Sequence, residues 1–355
     1  MRKYLYGIIS TSKPAIFGQS PLSSSSEGVY TIIYRDLAGV VSDYTVGDFS
    51  SVNREGRLHY LMAHLGVIEQ VMAGGYTILP VKFGTFVENE DEIRHILEQG
   101  YKKLDQTLDK MYGMVEIDVI ATWNLKKVFE EIRNGEEIMQ LKRSIAGKSA
   151  SQIQQMTVSI SKLAKEALDR RRQGYLKQTI QSLADEAIDI QPKPVVTDEI
   201  MMSIAFLIQR GKQQNFDGQI RRINEAFGEQ FNFRIIGPLP PYSFSTVEIE
   251  RINPARIEEA RQLLGLGTHI SDKELREAYC YLAAKSHLCM HLSNEIGGER
   301  FATVRDAFIL LRDYCYRQNG HVRYNLYNRH YSLLPEAVSR AFTIDIRRPA
   351  LQTTE

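Results

Sequence analysis

Among the residues able to do chemistry, Lys82 stands out because it interrupts an apolar run, Thr77-Ile-Leu-Pro-Val-Lys-Phe-Gly-Thr85. An ammonium inside a strand is costly unless a carboxylate pairs with it or water reaches it. Lys82 is therefore read first as structural, and second, with Phe83, as part of a binding surface. Glu116 and Asp118 alternate along a strand-like stretch and share a face. That spacing suits an acid–base pair, but a solvated strand face is the commoner reason for it. His287 and His291 lie four apart around Cys289, a spacing that can gather ligands on a helix. No second cluster lies within sequence reach, and no metal is expected. His59 and His64 are five apart, about 140° around a helix, and need no ligand. Gly147-Lys148-Ser149 has the end of a phosphate-binding loop without its beginning, since the position five before Gly147 is Lys142 and no strand precedes it. Arg170-Arg171-Arg172, with Lys165 and Lys177, is the dense basic patch. It lacks interleaved aromatics and lies beside Glu166 and Asp169, which fits a solvated helical face better than a nucleic-acid site. No glycine-flanked serine, dinucleotide-binding glycine set or His-Glu-x-x-His occurs, so neither catalysis nor a cofactor is expected.

The elements that must position Lys82 are legible. Leu58, Leu61, Met62, Leu65, Ile68 and Met72 recur three and four apart, predicting a helix over 53–75 that Gly74-Gly75 stops. A strand over 77–83 follows, with Pro80 at an edge or bulge because proline donates no ladder bond. Glu88, Glu90, Asp91 and Glu92 then open a second helix, where carboxylates favour the positive terminus. Before these, Tyr4 to Ser10 reads as a buried strand, and 29–34 with 39–45 as a hairpin turned by Asp36 and Gly39. The order β-ββ-α-β-α implies an α+β sandwich for residues 1–113.

Residues 114–251 read as a second α+β domain. Val115 to Trp123 is a strand, and a long helical arm over 124–190 follows. Ile153, Met156, Ile160, Leu163 and Ala167 are spaced as a coiled-coil seam. Leu176, Ile180, Leu183 and Ala187 repeat that spacing out of phase, predicting two helices or one kinked helix. The seam either packs on its own domain or takes a partner helix. Strands over 199–209 and 231–236, a helix over 215–229 and a last strand over 242–251 suggest a rearranged ferredoxin-like sandwich. Residues 252–317 form a helical unit, with Ser271 and Glu274 as a capping box. Leu275, Tyr279 and Leu282 are expected to face Phe301, Val304, Phe308 and Leu311. A polar tail, 318–355, closes the chain, with a short helix near 333–342.

Composition bounds the class. The chain has 355 residues, 43% hydrophobic and 25% charged, enough for two or three domains without disulfides or metals. Forty-four basic and forty-three acidic residues leave a formal charge of +1, which offers no global attraction to nucleic acid or an anionic membrane. Cys280, Cys289 and Cys315 are odd in number and late in the chain, as expected of reduced thiols in a cytosol. The apolar stretches 4–9 and 200–208 are too short for a signal core and a spanning helix respectively.

Three segments carry a resemblance. The run 77–85 between its two helices, the opening Lys3-Tyr-Leu-Tyr-Gly-Ile-Ile9, and Gly237-Pro-Leu-Pro-Pro-Tyr-Ser-Phe244 resemble, in order, segments of the gas vesicle protein GvpL/GvpF family. The resemblance spans about two-thirds of the chain. It implies two α+β domains, the second a modified ferredoxin-like fold. It also implies an accessory or minor structural protein of gas vesicle assembly that binds the hydrophobic shell protein and limits its aggregation during vesicle nucleation. The expected partners are that shell protein and other gas vesicle accessory proteins, and the expected location is cytoplasmic and gas vesicle associated. Lys82, Phe83, Ile153, Met156, Ile160 and Leu163 are the candidate contact residues.

Residues 255–313 resemble a J-domain in Leu264-Gly-Leu266, Glu274 to His287 and Phe301 to Leu311. Where that family has His-Pro-Asp, this chain has His287-Leu288-Cys289. The alternative function, an Hsp70 co-chaperone adaptor, loses its key residues there, and Hsp70 is not expected as a partner.

Overall fold

The computed structural model describes residues 2–19, 22, 28–44, 53–144, 149–290, 294–318 and 330–348, with backbone alone at 142, 150, 286–290, 294–300 and 317–318. The protein is of the α+β class and forms two compact units. One joins Met1–Lys110 to Ser245–Arg347, and the other is built on Met111–Phe244.

The first unit begins with β1 (Lys3–Ser10), buried along all but its last residue. β2 (Val29–Tyr34) and β3 (Leu37–Asp43) form the hairpin. Its turn is Arg35-Asp36, with Arg35 at φ 57°. Gly39, expected in that turn, instead lies within β3 opposite Ile8. Asn53 caps α1 (Arg54–Ala73) by accepting from the Gly56 N–H at 2.9 Å. After it come β4 (Ile78–Pro80), β5 (Phe86–Val87) and α2 (Glu90–Met111). The sheet runs β2-β3-β1-β4, with β5 pairing the start of β1.

The strand expected over 77–83 is shorter than that, and it lies last in the sheet path, where Pro80 lacks nothing by having no N–H to donate outward. The buried stripe of α1 is also displaced. It comprises Ala63, His64, Val67, Ile68 and Val71, while Leu58 and Met62 face solvent. The physical reason is His64, whose ring bonds to Tyr4 and turns that side of the helix inward.

Gly7 is the tightest point of this sheet. A Cβ there would lie 2.5 Å from Ile78 Cδ1 and 2.9 Å from the Leu79 carbonyl oxygen. Gly7→Ala is expected to destabilise the first unit by about 1–3 kcal/mol through overpacking. Near-ultraviolet circular dichroism of the neighbouring tyrosines during urea titration checks this.

The second unit contains β6 (Met114–Trp123), α3 (Leu125–Arg133), α4 (Glu136–Arg143), α5 (Ala150–Leu183), β7 (Asp189–Pro192), β8 (Ile200–Gln209), α6 (Gln213–Ala226) and β9 (Phe231–Leu239). The sheet order β7-β8-β6-β9 is antiparallel throughout. Sequence order β-α-β-β-α-β with that strand order is the split βαβ arrangement of ferredoxin-like sandwiches. The helical stretch ends at Leu183, and residues expected at its end form β7. Of the two helices or one kinked helix expected, the structure has one 34-residue helix, α5, that runs through the phase break and is preceded by two short helices.

The first unit resumes with β10 (Thr246–Arg251), α7 (Pro254–Leu263), β11 (His269–Ser271), α8 (Asp272–Met290), α9 (Asn294–Gln318), β12 (His330–Ser332), α10 (Pro335–Val338) and β13 (Phe342–Arg347). β10 was expected to finish the second sheet. It pairs instead with β13, from Thr246↔Arg347 to Arg251↔Phe342, which sets Val247 opposite Ile346 and Ile249 opposite Ile344. Apolar residues at matching alternate positions on both strands make that the better partner. The expected polar tail thus supplies two strands, β12 and β13, and Ser245–Arg347 belongs to the first unit. Leu275, Val304 and Leu311, with Tyr279, Leu282 and Phe308 against them, share one core with Ile257, Tyr314 and Val338.

Candidate functional site

The run 77–85 is anchored from below by Tyr4. The Gly84 N–H donates to the Tyr4 hydroxyl at 3.1 Å, and that hydroxyl lies 2.9 Å from His64 Nδ1. The assignment that satisfies both bonds has Tyr4 donating to a neutral His64. Burial lowers the His64 pKa to about 4, opposed by its hydrogen bond to the backbone of Val81. The Tyr4 phenol is pushed well above its ordinary range, chiefly by burial. Phe83 meets the His64 ring edge-on at 5.7 Å. Gly84 has φ 84°, a backbone that favours glycine, and the Thr85 hydroxyl donates to the Lys82 carbonyl at 2.7 Å. This tied turn presents Lys82 outward, its side chain 53% exposed, with Nζ 3.3 Å from Glu248 and 3.9 Å from Glu250.

In the second unit, the far end of α5 is held by buried Leu168, Thr179 and Leu183. Arg172 stacks over Trp123 at 5.6 Å and reaches Asp169 at 2.8 Å. Arg171 pairs with Glu131 at 2.7 Å, and Arg170 with Glu137 at 3.7 Å. The basic run is therefore occupied with carboxylates of its own unit. The beginning of α5 is different. Ile153 is 39% and Val158 66% exposed, and Met156, Ile160 and Leu163 are half-buried. Apolar residues at three-four spacing thus remain accessible along the first turns of a long helix.

Glu116 and Asp118 do share a face, but it is not a solvated one. Glu116 is 1% exposed. It accepts the Ser243 N–H at 2.7 Å and the Ser243 hydroxyl at 2.6 Å. Lys193 Nζ donates to Glu116 at 3.1 Å and to both oxygens of Asp118 at 2.6 and 2.7 Å. Burial alone would lower the Lys193 pKa, yet Glu116 and Asp118 outweigh it and hold the ammonium charged. The cluster ties β6 to the segments after β7 and β9. With each group already bonded it is a clamp, not a poised acid–base pair. Sequence reading missed Lys193 and Ser243. Ser243 lies within the 237–244 segment, and Lys193 sits between Pro192 and Pro194, which fix its backbone.

In the helical part, Ser271 and Glu274 form the expected capping box. The Ser271 N–H donates to Glu274 at 2.7 Å and the Glu274 N–H to the Ser271 hydroxyl at 3.2 Å. Tyr279 stacks on Phe308 at 4.3 Å. His287, Leu288 and Cys289 lie in the backbone of α8, and their side chains, like His291, Gly147 and Lys148, fall outside the described residues. Among the described residues, no group of three or more His, Cys, Asp or Glu is placed to hold a metal, and no helix is long and apolar enough to cross a membrane. Lys82 and Phe83 belong to the first unit and the α5 seam to the second.

Comparison with known proteins adds a family. The sequence pattern described as "Gas vesicle synthesis protein GvpL/GvpF" matches residues 2–246. Gas vesicle protein F of Nostoc sp. is 27% identical over 250 residues, 69% of this chain and 98% of that protein. Gas vesicle protein F of Haloferax mediterranei is 22% identical over 248 residues, 69% of this chain and 94% of that protein. The crystal structure of GvpF from Anabaena sp. superposes with a TM-score of 0.56 at 22% identity, covering 68% of this chain and 94% of that one. GvpF from Microcystis aeruginosa gives 0.55 at 19% identity, covering 68% and 97%. At these identities the structural likeness is one of fold.

Proposed function

This chain belongs to the GvpL/GvpF family of gas vesicle synthesis proteins, and from that premise we propose that its part in gas vesicle assembly is to bind the hydrophobic shell protein and limit its aggregation during nucleation. A subunit that assembles through apolar surface and strand edges is hazardous while free. A binder that lays a helical apolar face against it removes the hazard. The observation that carries the reading is the accessible seam of Ile153, Met156, Ile160 and Leu163 on α5, whose far end is fixed in a core. Lys82 and Phe83 supply a second contact, on a turn that Tyr4 and His64 hold in shape. The domain division that suits this role keeps the seam in the ferredoxin-like part and the motif in the N-terminal part.

The test is co-purification of the tagged full-length chain with the shell protein. Ile153→Asp/Ile160→Asp is expected to lower retention roughly tenfold, a loss of about 1.4 kcal/mol, with far-ultraviolet circular dichroism unchanged. Undiminished retention by that variant would remove the seam from the interface. If the wild-type chain retains no shell protein, the reading as a whole fails.

A further inference from the structure

We infer that the strand edge beside Lys82 is a docking site for an extended protein segment with carboxylates at alternate positions, and that this chain keeps it filled with its own β10.

Val81 and Val247 form a parallel bridge next to β4. The Val81 N–H points inward and donates to the Tyr6 carbonyl at 2.9 Å, whereas the next N–H, Lys82, points outward and donates to the Val247 carbonyl at 2.9 Å. Alternate residues of a strand share a face, so Glu248 and Glu250 lie on one side of β10, where both meet the Lys82 ammonium. Val247, on the other side, is fully buried. The seated segment thus reads apolar–acidic–apolar–acidic, and the edge recognises it by one backbone donor, one cation and one apolar seat.

The two sides of β10 are held unequally. Toward β13 it makes a six-residue ladder, and Glu248 also meets Arg347 Nε at 2.7 Å. Toward the Lys82 edge it makes, among the described residues, a single bridge, with the Lys82 N–H bonded to the Val247 carbonyl, and ion pairs to a half-exposed lysine. The longer pair, to Glu250, is exposed on both sides, and such pairs hold weakly. The family match ends at residue 246, the first residue of β10. The motif edge therefore belongs to the shared region, and the segment seated on it lies beyond that region. An incoming strand of the same alternation takes β10's place at the edge while β10 stays paired to β13. This deepens the proposed function, on which it rests for assigning Lys82 to partner contact.

The test uses the full-length protein and a fluorescein-labelled peptide of this chain's residues 245–252. Glu248→Lys/Glu250→Lys is expected to raise amide exchange at Lys82 at least tenfold, and to bind the peptide at least tenfold more tightly than wild type. Adding Lys82→Glu is expected to abolish that binding, and a peptide with glutamine at both acidic positions to bind tenfold more weakly. Because Glu248 also meets Arg347, E250K alone is the second variant, with a smaller increase expected in the same direction. Unchanged exchange in the double variant overturns the inference, as does peptide binding no tighter than wild type once β10 has loosened. Shell-protein retention by the same variants separates the two readings. Peptide binding without retention leaves the docking site and removes the shell-protein assignment; retention without peptide binding does the reverse.

Discussion

Lys193→Met is expected to lower the stability of the second unit by about 3–5 kcal/mol, the usual consequence of stranding a buried charge by removing its partner. Glu116 is nearly inaccessible, and Asp118 lies on the same strand face two residues away. Without the ammonium, two carboxylates are left facing each other with only Ser243 donating to one of them. The chain has a single tryptophan, Trp123, on the same strand as Glu116, so its fluorescence during urea titration reports this unit. Neutralising all three positions in Lys193→Met/Glu116→Gln/Asp118→Asn is expected to recover most of the loss, because no net charge remains buried. Equal destabilisation by the single and triple variants would show that packing, not charge, holds the clamp.

The second large effect is on acid stability of the first unit, through His64. Its folded pKa of about 4 lies below the ordinary histidine value of 6.5. Between those values the unfolded chain binds the proton and the folded chain does not, so stability rises with pH across the window and falls as pH drops through it. At 1.36 kcal/mol per pKa unit the full loss is roughly 3 kcal/mol. It begins near pH 6.5 and is complete near pH 4. His64→Gln keeps a polar partner for Tyr4 but cannot titrate. It is expected to cost about 1 kcal/mol at neutral pH and to flatten the urea midpoint between pH 6.5 and 4, measured by tyrosine near-ultraviolet circular dichroism. A variant retaining the wild-type slope would place the titration elsewhere.

What the sequence disclosed and what it hid follow from the range of the interactions. The capping box at Ser271 and the Gly74-Gly75 stop are local, and both were legible. The buried stripe of α1 was misread because Leu58 and Met62 are more apolar than His64, and His64 is turned inward by partners distant in sequence, the Tyr4 hydroxyl and the backbone of Val81. Glu116 looked solvated because nothing near it in sequence neutralises it; Lys193 and Ser243 are 77 and 127 residues away. β10 was assigned to the wrong sheet for the same reason, since its partner begins at Phe342. The three segments behind the family resemblance were each legible because their glycines and prolines fix local backbone. Gly7, Gly84 and Gly237 mark them, and Gly237, at φ 144°, lies so close to Ile117 that a Cβ would meet it at 2.7 Å.

The first unit is interrupted in sequence, the second being inserted between Lys110 and Ser245. On a ribosome this fixes an order of events. Residues Met111–Phe244 emerge before the first unit resumes, while the unit begun first must wait for β13. Between the synthesis of Lys82 and that of Val247 lie about 165 residues, which at 5–20 residues per second takes roughly ten to thirty seconds. For that interval β10 cannot cover the strand edge next to Lys82.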